Sequence, residues 1–264
     1  MSLANELAFG RYYTTGSVVH SLDPRVKMVG ALGILAAALV TQDPRAYLFL
    51  SLSLAAIAAG ARLRPGFLLR NLASLRWLVV FVFIVHAFFT PGTPVFDAIP
   101  RLTREGALLG GVFAWRIAIM VSAATILTAT TSPVELGDGL EVLLGPFSKV
   151  GLPVHELAMI SVIALRFVPT LMDEATRIVK AQIGRGARFD GGLVARAKSA
   201  VPVLVPLFAS ALNRADDLAL AMDARCYRGA AGRTRYIELR LVRRDGLALA
   251  AVAAIVLCTI ALSN

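Results

Sequence analysis

Five apolar stretches set what this chain can become. They run from Lys27 to Val40, Ala46 to Gly60, Leu75 to Phe89, Gly106 to Thr130 and Gly246 to Leu262, and they hold almost no charge. Stretches of this kind approach the roughly 20 apolar residues that a bilayer asks of a helix. The chain is therefore expected to be an all-α integral membrane protein with five transmembrane helices. The first two stretches are short, so flanking polar residues must extend those helices into the interface. Their starts are written alike, "LDPRVK" and "QDPRAY". Asp23 and Asp43 can cap the first free amides, and Pro24 and Pro44 suit the first helical position, where no donor is lost.

Charge decides orientation. The chain carries a formal net charge of +10. In a soluble domain that excess would point to nucleic acid, but in a membrane protein basic residues gather in cytoplasmic loops. Arg11, Arg25 and Lys27 precede or open the first span. Arg62, Arg64 and Arg70 fill the second connection, 61–74, which has no acid. Both segments are thus expected in the cytoplasm, and no nucleic-acid partner is indicated. The N-terminus shows no apolar core of signal-peptide type before Lys27. Cys226 and Cys258 lie in unrelated settings and suggest neither a disulfide framework nor a metal site.

With five spans the long region 131–245 falls inside the cell. The expected organisation is 1–130 for the first four spans, 131–245 for a cytoplasmic domain and 246–264 for the last span. From His155 to Arg188, and again from Val194 to Met222, apolar residues return at helical spacing on one face. Pro202 and Pro206 should kink the second helix. The apolar part of the first, Leu157 to Met172, contains Arg166. That of the second, Ser199 to Asn213, holds both prolines. Each falls short of a usual span, although crossing by the pair together is an alternative that would leave the C-terminus outside.

Each of these helices ends on a lone arginine among small residues. Gly184, Arg185 and Gly186 close the first; Ala224, Arg225 and Cys226 close the second, with Arg228, Arg233 and Arg235 beyond. Small neighbours leave a guanidinium free to enter a partner's groove and bond a carboxylate bidentately. The plainer explanation is a cation favoured by the helix dipole, followed by a glycine stop. Two such ends on paired helices favour the first. The remaining chemistry is sparse. There is no phosphate-binding loop, and His20, His86 and His155 are scattered. Arg116 lies near the middle of the fourth span, where a charge costs about 3 kcal/mol. Either it contacts another helix or subunit, or it reaches an interface by snorkelling. Gly106, Gly110 and Gly111 allow close helix approach, more readily within the chain than to a partner.

Taken together, "GSVVHSLDPRVK", "HAFFTPGTPVF", "TATTSPVELGDGLEVLLGPFSKVGLPVHELAMI", "ALRFVPTLMDEATRIVKAQIGRGARF" and "PLFASALNRADDLALAMDARCYRG" resemble the transmembrane T component of energy-coupling factor transporters, the ABC-type importers of vitamins and metal ions. The "TPG" stretch leans toward the shared type rather than the cobalt- or nickel-dedicated type. The resemblance implies a non-catalytic subunit of a bacterial cell membrane. Two ABC ATPase subunits would hold ATP and Mg, a small membrane S component would hold the substrate, and no cofactor would sit in this chain. In that family Ala-Arg-Gly-like triplets end two coupling helices, which makes Arg185 and Arg225 the ATPase-contact arginines. Here Gly184 stands for Ala and Cys226 for Gly; Cys226 adopts a left-handed turn less cheaply than glycine.

Two other functions compete. A secondary transporter with its own substrate site would place acids or paired polar groups within its spans, and these spans hold almost none. A membrane enzyme using Asp173, Glu174, Asp216 and Asp217 is less economical than reading those carboxylates as polar faces of amphipathic helices.

Overall fold

A computed structural model describes residues 16–96, 99–151, 153–187, 192–229 and 241–263. Arg11, Arg188, Arg233 and Arg235 lie outside the described residues. The chain divides into two compact units, one formed by 10–142 with 238–264 and the other by 1–9 with 143–237.

The first unit is a helical bundle. α1 (Pro24–Val40), α2 (Pro44–Gly60), α3 (Pro65–Ser74), α4 (Arg76–Phe89) and α5 (Arg104–Thr130) are followed by α6 (Pro133–Leu144), most of which belongs to this unit, and by α9 (Arg243–Ser263). A short antiparallel hairpin, β1 (Pro94–Phe96) with β2 (Ile99–Thr103), joins α4 to α5 and is absent from the sequence expectations. All five expected spans are helical. Both DPR starts have proline in the first helical turn, so α1 begins three residues and α2 two residues before its apolar run. Only one of the two aspartates caps. The Asp23 carboxylate accepts from Arg25 N at 2.9 Å, whereas Asp43 makes no side-chain cap bond. The second connection is a further correction, because its larger part is the helix α3, bent by 56° against α4. Leu75, at the break, donates its amide to Leu72 O and keeps the turn closed.

Small residues let the helices of this unit touch. A core of Ile34, Ala37, Ala38, Tyr47, Leu50, Leu54, Ile119, Ala123, Ile126 and Ala129 joins α1, α2 and α5. In lipid such contact is held by close packing and hydrogen bonding rather than by escape from water. A Cβ on Gly106 would come within 2.5 Å of His86 O, and one on Gly110 within 2.9 Å of Phe83 O. Those two glycines therefore seat α5 on the backbone of α4. Gly111 has nothing within 4 Å.

The second unit is built from a 3-10 turn (Gly145–Val150), α7 (Val154–Gly184) and α8 (Leu193–Ala224). α8 runs as one helix through Pro202 and Pro206, and α7 likewise contains Pro169. The pair is antiparallel. Gln182 Nε2 of α7 donates to Pro202 O of α8 at 3.4 Å, and Glu174 lies 3.8 Å from Arg214. By length and composition α5, α7 and α9 are each long and apolar enough to cross a membrane, as is the bent pair α3–α4 taken together. α7 thus meets a criterion that its 16-residue apolar stretch alone does not, because the whole 31-residue helix supplies the extra length.

Candidate functional site

Both arginine-tipped helices end in the same hydrogen-bonded cap. At the end of α7, Ala187 N donates to Gln182 O at 2.9 Å and Gly186 N to Ile183 O at 2.9 Å. At the end of α8, Tyr227 N donates to Met222 O at 3.1 Å and Cys226 N to Asp223 O at 2.9 Å. Each is a Schellman motif, which satisfies carbonyls that a helix would otherwise leave open. The backbone angles agree residue for residue. Arg185 sits at φ −86°, ψ 6° and Arg225 at φ −92°, ψ 10°. The following residues take left-handed conformations, Gly186 at φ +85° and Cys226 at φ +56°.

The left-handed position explains the composition of the triplets. Glycine enters that region without penalty, while an L side chain pays about 1–2 kcal/mol. Cys226 pays it and still closes the cap. The residue before, Gly184 or Ala224, is small, and both are exposed. A Schellman end is not by itself distinctive: α2 closes the same way, with Leu63 N on Ala58 O at 3.1 Å and Arg62 at φ +54°. What α7 and α8 share is the arginine one place earlier, at the C-cap, between two small neighbours. The Arg185 and Arg225 side chains are exposed, and the cap carbonyls already hold backbone donors. Because α7 and α8 are antiparallel, the two arginines fall at opposite ends of the pair. Extending the contacts at Gln182 and Glu174 along the helices puts them about 35 Å apart at 1.5 Å per residue.

Arg116 has another setting. Its Nε donates to Tyr47 Oη at 2.9 Å and its Nη2 to Thr41 O at 2.9 Å. Its guanidinium lies 4.8 Å from the centre of the Phe113 ring. Tyr47, fully buried, donates in turn to Thr41 O at 2.6 Å. Thr41 is the C-cap of α1. Two oddities of the sequence meet here: α1 is a short helix of 17 residues, about 26 Å, and the arginine within α5 satisfies the carbonyl at its end. The sequence alone did not show which helix the arginine meets, because Thr41 and Arg116 are distant along the chain. Tyr47 is the partner that sequence reasoning missed.

The chain matches the CbiQ family, described as cobalt transport protein, over residues 15–236. It is 45% identical over 252 residues to the energy-coupling factor transporter transmembrane protein EcfT of Thermanaerovibrio acidaminovorans, covering 94% of this chain and 93% of that protein. The protein of the same name from Acidaminococcus fermentans is 42% identical, covering 93% and 92%. That from Bacillus subtilis is 39% identical, covering 92% and 93%. Since the family match runs through both arginine-tipped helices and four of the five expected spans, the chain belongs to the CbiQ family of transport proteins and is similar over most of its length to energy-coupling factor transporter transmembrane proteins.

Proposed function

We propose that this chain is the transmembrane energy-coupling subunit of an energy-coupling factor importer in a bacterial cell membrane. It is non-catalytic. Two ABC ATPase subunits hold ATP and Mg, and a small membrane S component holds a vitamin or other micronutrient. Its N-terminus is cytoplasmic, five spans cross the bilayer, and the region 131–245 carries α7 and α8 as coupling helices on the cytoplasmic side. Arg185 and Arg225 each dock on one ATPase subunit, flanked by Gly184 and Gly186 at the first site and by Ala224 and Cys226 at the second. Closure of the ATPases on ATP then moves the helix pair, and the chain passes that motion to the S component.

The observation that carries this reading is the pair of matched caps. Backbone donors alone close each helix end, so neither guanidinium is needed there, and both are exposed. An exposed planar fork is suited to a bidentate bond with a carboxylate. Placing the forks at opposite ends of one antiparallel pair suits two partner subunits better than one.

The test is a pull-down of the ATPases, with ATP-dependent uptake, for Arg185→Ala, Arg225→Ala and the double variant. Each contact is worth about 1.5–3 kcal/mol per bond. Each single variant should weaken docking while the other end still holds. Losing one anchor also lowers the effective concentration at the other, so the double variant should lose assembly by far more than either alone. Lysine, a point charge without the fork, should rescue poorly. Full assembly and uptake in the double variant would overturn the reading.

A further inference from the structure

Resting on that function, we propose that the start of α1, from Asp23 to Lys27, is the anchor that fixes both connections of the coupling region to the membrane bundle. The chain heads for the coupling region from the end of α5 through α6 and returns into α9, and α1 holds it at both places. At the exit, Lys27 Nζ donates to Thr130 O, the last carbonyl of α5, at 3.0 Å, and to His20 O at 2.9 Å. At the return, the Asp245 carboxylate takes two backbone amides: Val242 N of its own helix start at 2.9 Å and Asp23 N at 2.9 Å. One buried carboxylate thus closes the open amide ends of α9 and α1 together, where two helix dipoles favour a negative charge. Asp23 and Asp245 are 7% and 4% exposed.

The exit is braced twice more. Ser132 and Glu135 form a capping box, Ser132 N on Glu135 Oε2 at 3.0 Å and Glu135 N on Ser132 Oγ at 3.2 Å, which starts α6 with only Thr131 and Ser132 between it and α5. Gly139 of α6 then packs on α1, where a Cβ would lie 3.2 Å from Pro24 Cβ and 3.3 Å from Met28 Sδ. The Lys27 ammonium also interacts with the carboxylates of Glu135, Asp23 and Asp245. The exit and the return are thus both hydrogen-bonded to the start of α1. A displacement entering along α6 or toward α9 is delivered to the bundle there, through a contiguous hydrogen-bonded network of the kind that can carry coupling between distant parts of a protein. Lys27 and Asp245 act as positioning residues.

The experiment measures distances within the complex of this chain with its ATPases. Nitroxide labels at exposed Leu140 of α6 and exposed Leu39 of α1 report the width of their distance distribution, without nucleotide and with ATP–vanadate. The wild-type distribution is expected to be narrow in both states. Lys27→Met and Asp245→Asn are expected to at least double its width while the ATPases still co-purify and hydrolyse ATP, and Lys27→Arg to keep it narrow. Unchanged widths in Lys27→Met and Asp245→Asn would overturn the proposal. So would equal damage from Lys27→Arg, because the residues would then serve folding alone. If the wild-type chain recruits no ATPase, the functional reading fails instead, and the nucleotide-free widths still decide the anchor.

Discussion

The two units differ in what meets the ends of their helices. In the bundle α2 closes on its own backbone, but three helix ends take side chains from other helices: Arg116 of α5 on the end of α1, Lys27 of α1 on the end of α5, and Asp245 of α9 on the start of α1. In the α7–α8 unit, both helix ends are closed by their own backbone, and the arginines beside them are exposed. The same residue type is thus used for different ends. A cation inside lipid must find acceptors within the protein, and the orphan carbonyls of a neighbouring helix supply them. A cation beside a self-closed cap has no such duty and is available to a partner. Arg116 and Arg225 differ less in chemistry than in whether a backbone donor has already reached the carbonyls nearby.

The largest expected effect breaks this comparison on the bundle side. Arg116→Met removes two charge-assisted bonds and leaves Thr41 O with Tyr47 as its remaining side-chain donor. At about 1.5–3 kcal/mol for each bond to a charged group, a loss of about 3 kcal/mol or more is expected, read as a lower unfolding midpoint in detergent. The Arg185→Ala/Arg225→Ala chain should unfold at the wild-type midpoint. If both variants melted alike, the distinction between internally used and exposed cations would fail. A smaller effect is expected from Gly110→Leu, which forces a side chain against Phe83 O where a Cβ has only 2.9 Å. Overpacking of this kind costs about 1–3 kcal/mol. Gly111→Leu, with nothing within 4 Å, should be close to neutral under the same measurement.

How much of this was legible beforehand depends on whether the cause was local. The helices at all five apolar runs, α7 and α8, the proline starts and the Asp23 cap follow from residues within a few positions of one another. So does the likeness of the two arginine triplets. The bend at Leu75 was not legible, because "LRNLASLRWLV" reads equally as a charged connection or as two helices. Asp43 failed as a cap although its sequence context matches that of Asp23. Asp23 differs in that its amide is itself held by Asp245, 222 positions away along the chain. The acceptors of Arg116 were hidden for the same reason: Thr41 lies 75 positions away, and only the packing of α1 and α2 on α5 brings it near.

The aspartate contrast yields a finer prediction. Asp23→Ala should cost about 1 kcal/mol, the usual value of an N-cap, and Asp43→Ala much less, again by unfolding midpoint. Equal losses would mean that the Asp43 carboxylate caps α2 after all.

The smallest expected effect concerns Cys226, and it sharpens the α7–α8 side of the comparison. The two caps share both Schellman bonds, yet one carries glycine and the other cysteine at the left-handed position. The left-handed conformation costs an L residue about 1–2 kcal/mol. Glycine avoids that cost but gives back about 0.5–1 kcal/mol through the greater freedom of its unfolded chain. Cys226→Gly should therefore raise the local stability of the α8 end by about 0.5–1 kcal/mol. The converse, Gly186→Ala, should lower that of α7 by a similar amount. Amide hydrogen exchange resolves changes this small at the cap itself, at Cys226 N and Tyr227 N, where a global melt would not. Protection should increase there in Cys226→Gly, with ATPase docking preserved or improved because Arg225 keeps its φ and ψ. Faster exchange in the glycine variant would show that the thiol stabilises this turn through a contact that the cap geometry does not require.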